Sequence, residues 1–208
     1  MGNSVQLLKD PPPLCFLPAA WLKLQLITDL APGEVGGFGL IDVGDEQFTV
    51  LDVLLPEQTC SAGSTAVDPA GVASLLAELA DEGEDLGRVH LWFHSHANGE
   101  AYLSDRDRRT LGEDFPQADY MVGLVVNKRG GCFASLYCYR PLALIAEPLR
   151  VMVLGSRGGG DLREEVNDEV ARKVRPPVTP AVADRANGSG AAVWQVTPVR
   201  TSYRLERR

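Results

Sequence analysis

The sequence predicts an α+β fold in which a mixed β-sheet packs against helices. Apolar runs of strand length, such as the two that flank "KRGG", are placed to pair with their neighbours in the chain. Segments with helical periodicity lie between such runs, but they do not alternate regularly with single strands. This order favours an α+β fold or an α/β/α sandwich over a regular ladder of β-α-β units.

The first quarter of the chain predicts an irregular start, a helix and two strands. Residues 1–14 contain three consecutive prolines and are expected to form an irregular lead-in. Pro18 can begin a helix that runs to about Leu30, although alternating leucines leave a strand open there. The runs "EVGGFGLIDV" and "QFTVLDVLL" predict two adjacent strands with a turn at Gly44-Asp45.

The middle of the chain predicts two helices with a strand between them. The segment "CSAGSTAVDP" is predicted to be a loop of small residues. Asp68-Pro69 can begin a helix that ends near Asp81, since its leucines fall on one face. "RVHLWF" predicts a strand, and a short helix is expected from Ser104 to about Leu111.

The remaining elements are a hairpin, a short strand and a last helix. "YMVGLVVN" and "CFASLYCYR" form the predicted hairpin, "RVMVL" the strand, and "DLREEVNDEVARKV" the helix. After residue 174 the chain becomes rich in proline, glycine and arginine. We therefore expect one domain over residues 15–174 and a flexible basic tail over residues 175–208.

The charge distribution argues against a nucleic-acid binder. Residues 175–208 hold six arginines and two acidic residues, a net of +4, whereas residues 1–174 hold 14 basic and 26 acidic groups, a net of −12. A general nucleic-acid binder needs a dense basic face, which the acidic domain lacks. No stretch resembles a signal peptide or a membrane span, so the sequence predicts no membrane partner and a cytoplasmic location.

Two of the three histidines are separated by a single residue. On a strand, alternation puts His94 and His96 on the same face, about 6.6 Å apart along it, so that both imidazoles can converge on one ion. A catalytic zinc site requires three protein ligands and one open position for water. His90 would lie about 13 Å from His94 along the same strand, too far to join, and we expect it to be structural.

Asp107 is the best candidate for the third ligand. Ser104 to Asp107 fits the S-x-x-D pattern of a helix start, with Ser104 at the N-cap. A side chain in the first turn points back toward the helix N-terminus, and hence toward the end of the histidine strand. Taken singly, H-x-H and S-x-x-D are ordinary patterns, and most S-x-x-D matches only begin helices. The combination of the two patterns at this spacing is far more specific for a functional site than either pattern alone.

This combination resembles the signature of the JAMM metalloproteases, also called MPN-plus domains. The matching residues are His94-Ser95-His96, then seven residues, then Ser104 and Asp107. Glu34 in "APGEVGGFGLI" matches the glutamate that the family carries on an early strand. The resemblance covers roughly residues 15–175 and implies a mixed sheet flanked by helices, a cytidine-deaminase-like α/β/α sandwich. The stretch between the predicted helix that ends near Leu111 and the next predicted strand is short. In this respect the chain looks more like the compact prokaryotic members associated with ubiquitin-like conjugation systems.

The resemblance implies a zinc metallopeptidase that acts as an isopeptidase. His94, His96 and Asp107 would hold one Zn²⁺ with its catalytic water, Glu34 would act as general base, and Ser104 would donate to the oxyanion. The expected partner is ubiquitin or a ubiquitin-like modifier, cleaved after its C-terminal tail during deconjugation or precursor maturation. The segment from Pro56 to Val67 is a candidate wall for the groove that binds this tail.

Two alternatives use the same residues differently. A JAMM hydrolase can act on a conjugate of a sulfur-carrier protein, with the same ligands and the same base. A non-catalytic MPN scaffold in a conjugation complex would hold a purely structural metal. A structural zinc is usually closed by four protein ligands, so a set of three favours a hydrolase.

Overall fold

The computed structural model describes residues 6–7, 11–44, 46–155 and 162–175, which form an α+β fold. The strands in these residues are β1 (Gln6–Leu7), β2 (Leu14–Phe16), β3 (Gly36–Val43), β4 (Phe48–Leu54), β5 (Gln58–Ser61), β6 (Ser64–Val67), β7 (Val89–Ser95), β8 (Tyr120–Val126), β9 (Cys132–Cys138), β10 (Leu144–Ala146), β11 (Val151–Val153) and β12 (Val174–Arg175). The helices are α1 (Pro18–Leu30), α2 (Pro69–Asp81), α3 (Asp105–Glu113) and α4 (Leu162–Lys173), with a short 3-10 helix at Leu86–Arg88.

Nine strands form one mixed sheet in the order β1-β10-β9-β8-β7-β3-β4-β2-β11. Strands β7 and β8 run parallel at its centre, and β3 pairs antiparallel with both β4 and β7. A smaller sheet has the order β12-β5-β6. The histidine strand β7 is therefore central, with a hydrogen-bonded neighbour on each side, and this fixes the direction in which its side chains point.

Helices cover both faces of the large sheet. Leu24 of α1 and Val166 of α4 pack in one cluster with Leu91 and Phe93 of β7. On the other face, Leu111 of α3 packs against residues of β8 and β9, and Trp92 of β7 joins this second cluster. Alternation over residues 91–93 of β7 therefore sends Leu91 and Phe93 into the α1–α4 core and Trp92 toward α3.

The predicted helix starts are confirmed. Pro18 is the first residue of α1, and the helical alternative is therefore the correct one for this segment. The Asp68 carboxylate caps α2 by accepting a hydrogen bond from the Ala70 N–H at 2.9 Å. Ser104 caps α3, which runs to Glu113, two residues beyond the predicted end. Capping residues of this kind typically stabilise a helix by about 1 kcal/mol.

An ion pair ties α3 to the sheet. Arg108 Nη1 donates to both carboxylate oxygens of Glu147 at 2.7 Å. Glu147 follows β10, and its Oε2 also accepts a hydrogen bond from Ser135 Oγ of β9 at 3.1 Å. Together with the buried Leu111, these contacts fix the helix that carries the predicted ligand Asp107.

Two predictions were wrong in part because tertiary pairing overrides local composition. Most of the segment "CSAGSTAVDP" is not a loop: its residues 60–67 belong to the antiparallel hairpin of β5 and β6, with Cys60 opposite Thr65. Small residues have low strand propensity, but backbone pairing does not require large side chains. The lead-in 1–14 includes strand β1 and the first residue of β2, and Pro13 still accepts a hydrogen bond from the Phe48 N–H through its carbonyl.

The end of the domain also differs by one residue. Arg175, the first residue of the predicted tail, pairs in β12 with Thr59 of β5. The rest of the predicted tail, residues 176–208, lies outside the described residues. None of the helices that the structure describes combines the length and the apolar character that crossing a membrane requires.

Candidate metal centre

Three side-chain donors converge where β7 ends and α3 begins. The Nε2 atoms of His94 and His96 are 3.1 Å apart, and Asp107 Oδ2 lies 3.3 Å from His94 Nε2 and 3.8 Å from His96 Nε2. Each residue thus offers one ligand atom to a common point, and the three could hold a metal ion. The sequence analysis predicted that His94, His96 and Asp107 can meet at one ion. The distances between their donor atoms are compatible with this prediction.

Neighbouring backbone groups orient His96, which lies just beyond β7. Its N–H donates to the Val126 carbonyl at the end of β8, at 2.9 Å. Its ring Nδ1 lies 2.8 Å from the Glu100 carbonyl oxygen. Because a carbonyl can only accept, this contact requires the proton on Nδ1 and leaves the Nε2 lone pair free for a metal.

The Nδ1 side of the His94 ring is held by burial rather than by a polar partner. The side chain is nearly inaccessible, and the Trp92 ring lies 4.9 Å from the His94 ring between centroids. Among the described residues, His94 Nδ1 is the buried side-chain nitrogen or oxygen that has no hydrogen-bond partner. The other ring nitrogen, Nε2, faces His96 and Asp107.

Asp107 serves both the helix cap and the donor cluster. Its Oδ2 accepts hydrogen bonds from the Ser104 N–H and Oγ, both at 2.7 Å, while the Asp107 N–H donates to Ser104 Oγ at 3.3 Å. Burial alone would raise the pKa of Asp107, but the hydrogen bonds from His94 and Ser104 outweigh it and lower the pKa to about 2. The carboxylate is therefore ionised near neutral pH, as a metal ligand must be.

Glu34 and Ser104 line the same cavity of about 1020 Å³ as the three donors. Burial raises the pKa of the Glu34 carboxyl, and the nearby His96 and His94 partly offset this increase. The Ser104 hydroxyl donates to Asp107 in this conformation, so it must rotate before it can donate to a substrate. Thus the structure brings all five predicted site residues to one cavity, with Ser104 engaged in the helix cap.

The β5–β6 hairpin forms one wall of this cavity and is firmly attached to the strand after Glu34. Gln58 Nε2 donates to the Gly36 carbonyl at 2.8 Å, and Gln58 Oε1 accepts from the Gly36 N–H at 2.9 Å. The Ser61 carbonyl accepts the Glu34 N–H at 2.8 Å. Consequently the predicted groove wall, residues 56–67, also fixes the backbone of Glu34.

This attachment predicts a large difference between two glycine substitutions in the same region. A Cβ at Gly33 would lie 2.6 Å from the Ser61 carbonyl carbon and closer still to its oxygen, whereas a Cβ at Gly63 meets nothing within 4 Å. We expect Gly33→Ala to lower the free energy of unfolding by about 1–3 kcal/mol, because the hairpin must move away from Glu34. Urea denaturation of Gly33→Ala and of the control Gly63→Ala measures this loss of stability. Equal free energies of unfolding for the two variants would contradict the close packing at Gly33.

His90 lies apart from the donor cluster, as the sequence analysis expects, and Ser95, between the two clustered histidines, makes a backbone contact. His90 Nδ1 is 2.8 Å from the Tyr120 carbonyl oxygen and its ring stacks on Tyr120, away from the donor cluster. Ser95 is buried, and its Oγ accepts the Val35 N–H at 3.0 Å. Both contacts are structural.

Gln58 and Asn127 were missed by the sequence analysis. Gln58 falls between the predicted strand that ends at Leu55 and the predicted loop that begins at Cys60, and nothing in its local sequence indicates a contact with Gly36. Asn127 directly precedes the hairpin turn, where an asparagine often bonds the backbone two residues on, so a turn role could have been predicted. Its contact with the loop after His96 could not.

Comparison with solved structures finds a related fold in the solution structure of protein DSY2949 from Desulfitobacterium hafniense. The TM-score is 0.50 with 16% identity, over 69% of this chain and 94% of that one. At this identity the similarity concerns the fold alone. No protein-family model matches the chain, and no curated protein matches its sequence.

Proposed function

We propose that this protein is a zinc-dependent isopeptidase of the JAMM (MPN-plus) type. It cleaves the peptide or isopeptide bond that follows the C-terminal tail of ubiquitin or a ubiquitin-like modifier. The observation that carries the proposal is the convergence of His94, His96 and Asp107 in a cavity that Glu34 and Ser104 also line. The spacing of these residues in the sequence, H-x-H followed by S-x-x-D, agrees with this proposal.

The donor set fits zinc better than the hard cations. Two imidazole nitrogens and one carboxylate are frequent zinc ligands, whereas magnesium and calcium prefer oxygen alone. Ligand atoms about 2.0–2.2 Å from a tetrahedral zinc lie about 3.3–3.6 Å apart. The separations of 3.1, 3.3 and 3.8 Å between the three donors bracket this range.

The proposed mechanism is hydrolysis without a covalent enzyme intermediate. A zinc ion held by His94, His96 and Asp107 would supply Lewis-acid chemistry: polarisation of the scissile carbonyl, and a bound water whose pKa would fall from ~15.7 toward about 7. Glu34 accepts the proton of the attacking water and passes it to the leaving amine as the carbon–nitrogen bond breaks. Ser104, after rotating away from Asp107, donates to the carbonyl oxygen as its negative charge grows.

The free edge of the hairpin supports an extended peptide as substrate. Strand β6 is the last strand of the smaller sheet, and no described strand pairs with its outer edge. Residues 64–67 of β6 line the cavity beside Glu34. An extended tail can add to such an edge through backbone hydrogen bonds, and the small side chains of Ala62, Gly63 and Ser64 leave room for it.

The test begins with metal content and turnover of the wild-type protein. We expect about one zinc per chain by elemental mass spectrometry, and release of a fluorescent amine linked to the C-terminus of ubiquitin or of ubiquitin-like proteins from the same genome. A strong chelator should abolish turnover by removing the ion, and added zinc should restore it. Zinc without turnover on any such reporter would favour the scaffold alternative, and absence of zinc after reconstitution would contradict both.

A further inference from the structure

Asn127 is a buried polar residue that joins two loops beside the donor cluster. It follows β8, and its side chain is almost fully buried. Its Oδ1 accepts the backbone N–H groups of Arg129 at 3.0 Å and Gly131 at 2.8 Å, while its Nδ2 donates to the Gly99 carbonyl at 2.8 Å. One amide therefore stabilises the β8–β9 turn and holds the loop after His96.

The loop that Asn127 holds is the one that orients His96. Glu100, directly after Gly99, provides the carbonyl oxygen 2.8 Å from His96 Nδ1. Residues 98–100 are exposed, so apolar contacts hold this loop only from Ala101 onward. Besides Asn127, the β8–β9 turn contributes the Lys128 N–H, which donates to the Ala97 carbonyl at 2.8 Å, three residues before Glu100.

The turn leaves space for the amide because Gly131 lacks a side chain. A Cβ at Gly131 would lie 3.0–3.3 Å from the terminal atoms of Asn127, closer than most Cβ contacts. Nδ2 is the donor of the group, and it faces the Gly99 carbonyl. The turn, the glycine and the amide together form a fixed support for the loop.

We propose that Asn127 is a positioning residue of the metal centre. By holding the Gly99 carbonyl it keeps the Glu100 carbonyl on His96 Nδ1, and so keeps His96 in the tautomer that presents a free Nε2 to the ion. Asn127 itself touches none of the three donors. The inference rests on the metal site of the proposed function but not on any substrate.

The substitution Asn127→Asp separates the two roles of the amide. Aspartate keeps an oxygen that can accept from Arg129 and Gly131, but it replaces the Nδ2 donor with an oxygen that repels the Gly99 carbonyl. We expect zinc affinity to fall by up to about 10- to 100-fold, the loss that follows removal of a direct outer-shell partner such as the Glu100 carbonyl, through which Asn127 acts. The negative charge that aspartate adds would attract Zn²⁺, so the added charge cannot explain a fall in zinc affinity.

Two readouts and two further variants complete the experiment. Zinc affinity is measured by competition with a chromophoric chelator, and the His96 tautomer by nitrogen NMR of the metal-free protein. Asn127→Ala, which removes both roles, should lose affinity and also stability. Arg129→Ala, in the same turn but exposed, should match the wild type in both readouts, because its backbone N–H is retained.

The outcomes distinguish the inference from the proposed function. Reduced zinc affinity in Asn127→Asp, with loss of the Nδ1-protonated signature of His96, supports the inference. Wild-type affinity and an unchanged tautomer in both Asn127 variants would overturn it while leaving the metal site intact. A wild-type protein that binds no zinc would overturn the metal site and the inference together.

Discussion

Replacement of Asp107 by asparagine or alanine is expected to remove the metal from the purified protein. Asp107 supplies one of three donor atoms, so its loss should cost more than the about 10–100-fold in affinity that an outer-shell partner costs. Asparagine can still accept the Ser104 N–H that begins α3, so this variant should fold. Elemental mass spectrometry should find zinc reduced from about one per chain to roughly a tenth or less.

Asp105 provides a matched control for this experiment. It is also an acid in the first turn of α3, but it is exposed and does not belong to the donor cluster. Asp105→Ala removes a similar favourable charge from the helix N-terminus, so it measures that effect alone. We expect it to keep its zinc. Full zinc content in Asp107→Asn would exclude Asp107 as a ligand.

The donor cluster could be predicted from the sequence because local geometry determines most of it. Alternation along a strand puts His94 and His96 on one face, and a capping box turns Asp107 back toward the strand end. The observed capping box at Ser104 and the placement of His94 in β7 with His96 directly after the strand both follow from short sequence separations. Only the approach of α3 to β7 depends on tertiary packing.

The segment that forms the cavity wall could be named from the sequence, but its strand structure and its contacts could not, because they depend on pairing between distant residues. Gln58 and Gly36 are 22 residues apart, and the bond between their amide groups leaves no periodic pattern in the sequence. The composition of residues 60–67 predicted a loop, whereas the pairing of β5 with both β6 and β12 makes it part of a sheet. The Asn127–Gly99 contact, 28 residues apart, was missed for the same reason.

Substitution of Glu34 by glutamine should abolish turnover while the metal remains bound. Glu34 lines the cavity but is not one of the three donors, so zinc content should stay near that of the wild type. Glutamine keeps the shape of the side chain but cannot accept the proton of the attacking water. Loss of a general base typically costs about 10²–10⁴ in rate. The measurement is kcat for release of a fluorescent amine linked to the C-terminus of ubiquitin or of a ubiquitin-like protein, at saturating zinc.

Glu100→Gln is the matched control for this substitution. Glu100 lines the same cavity, but its side chain is exposed and only its backbone carbonyl contacts His96. The same chemical change there should leave kcat nearly unaltered. Wild-type turnover by Glu34→Gln would remove Glu34 from the mechanism. Loss of zinc from the Glu34→Gln variant would instead make Glu34 a fourth ligand. A fourth ligand would close the site as in structural zinc centres, and the scaffold alternative would then explain the site better than hydrolysis does.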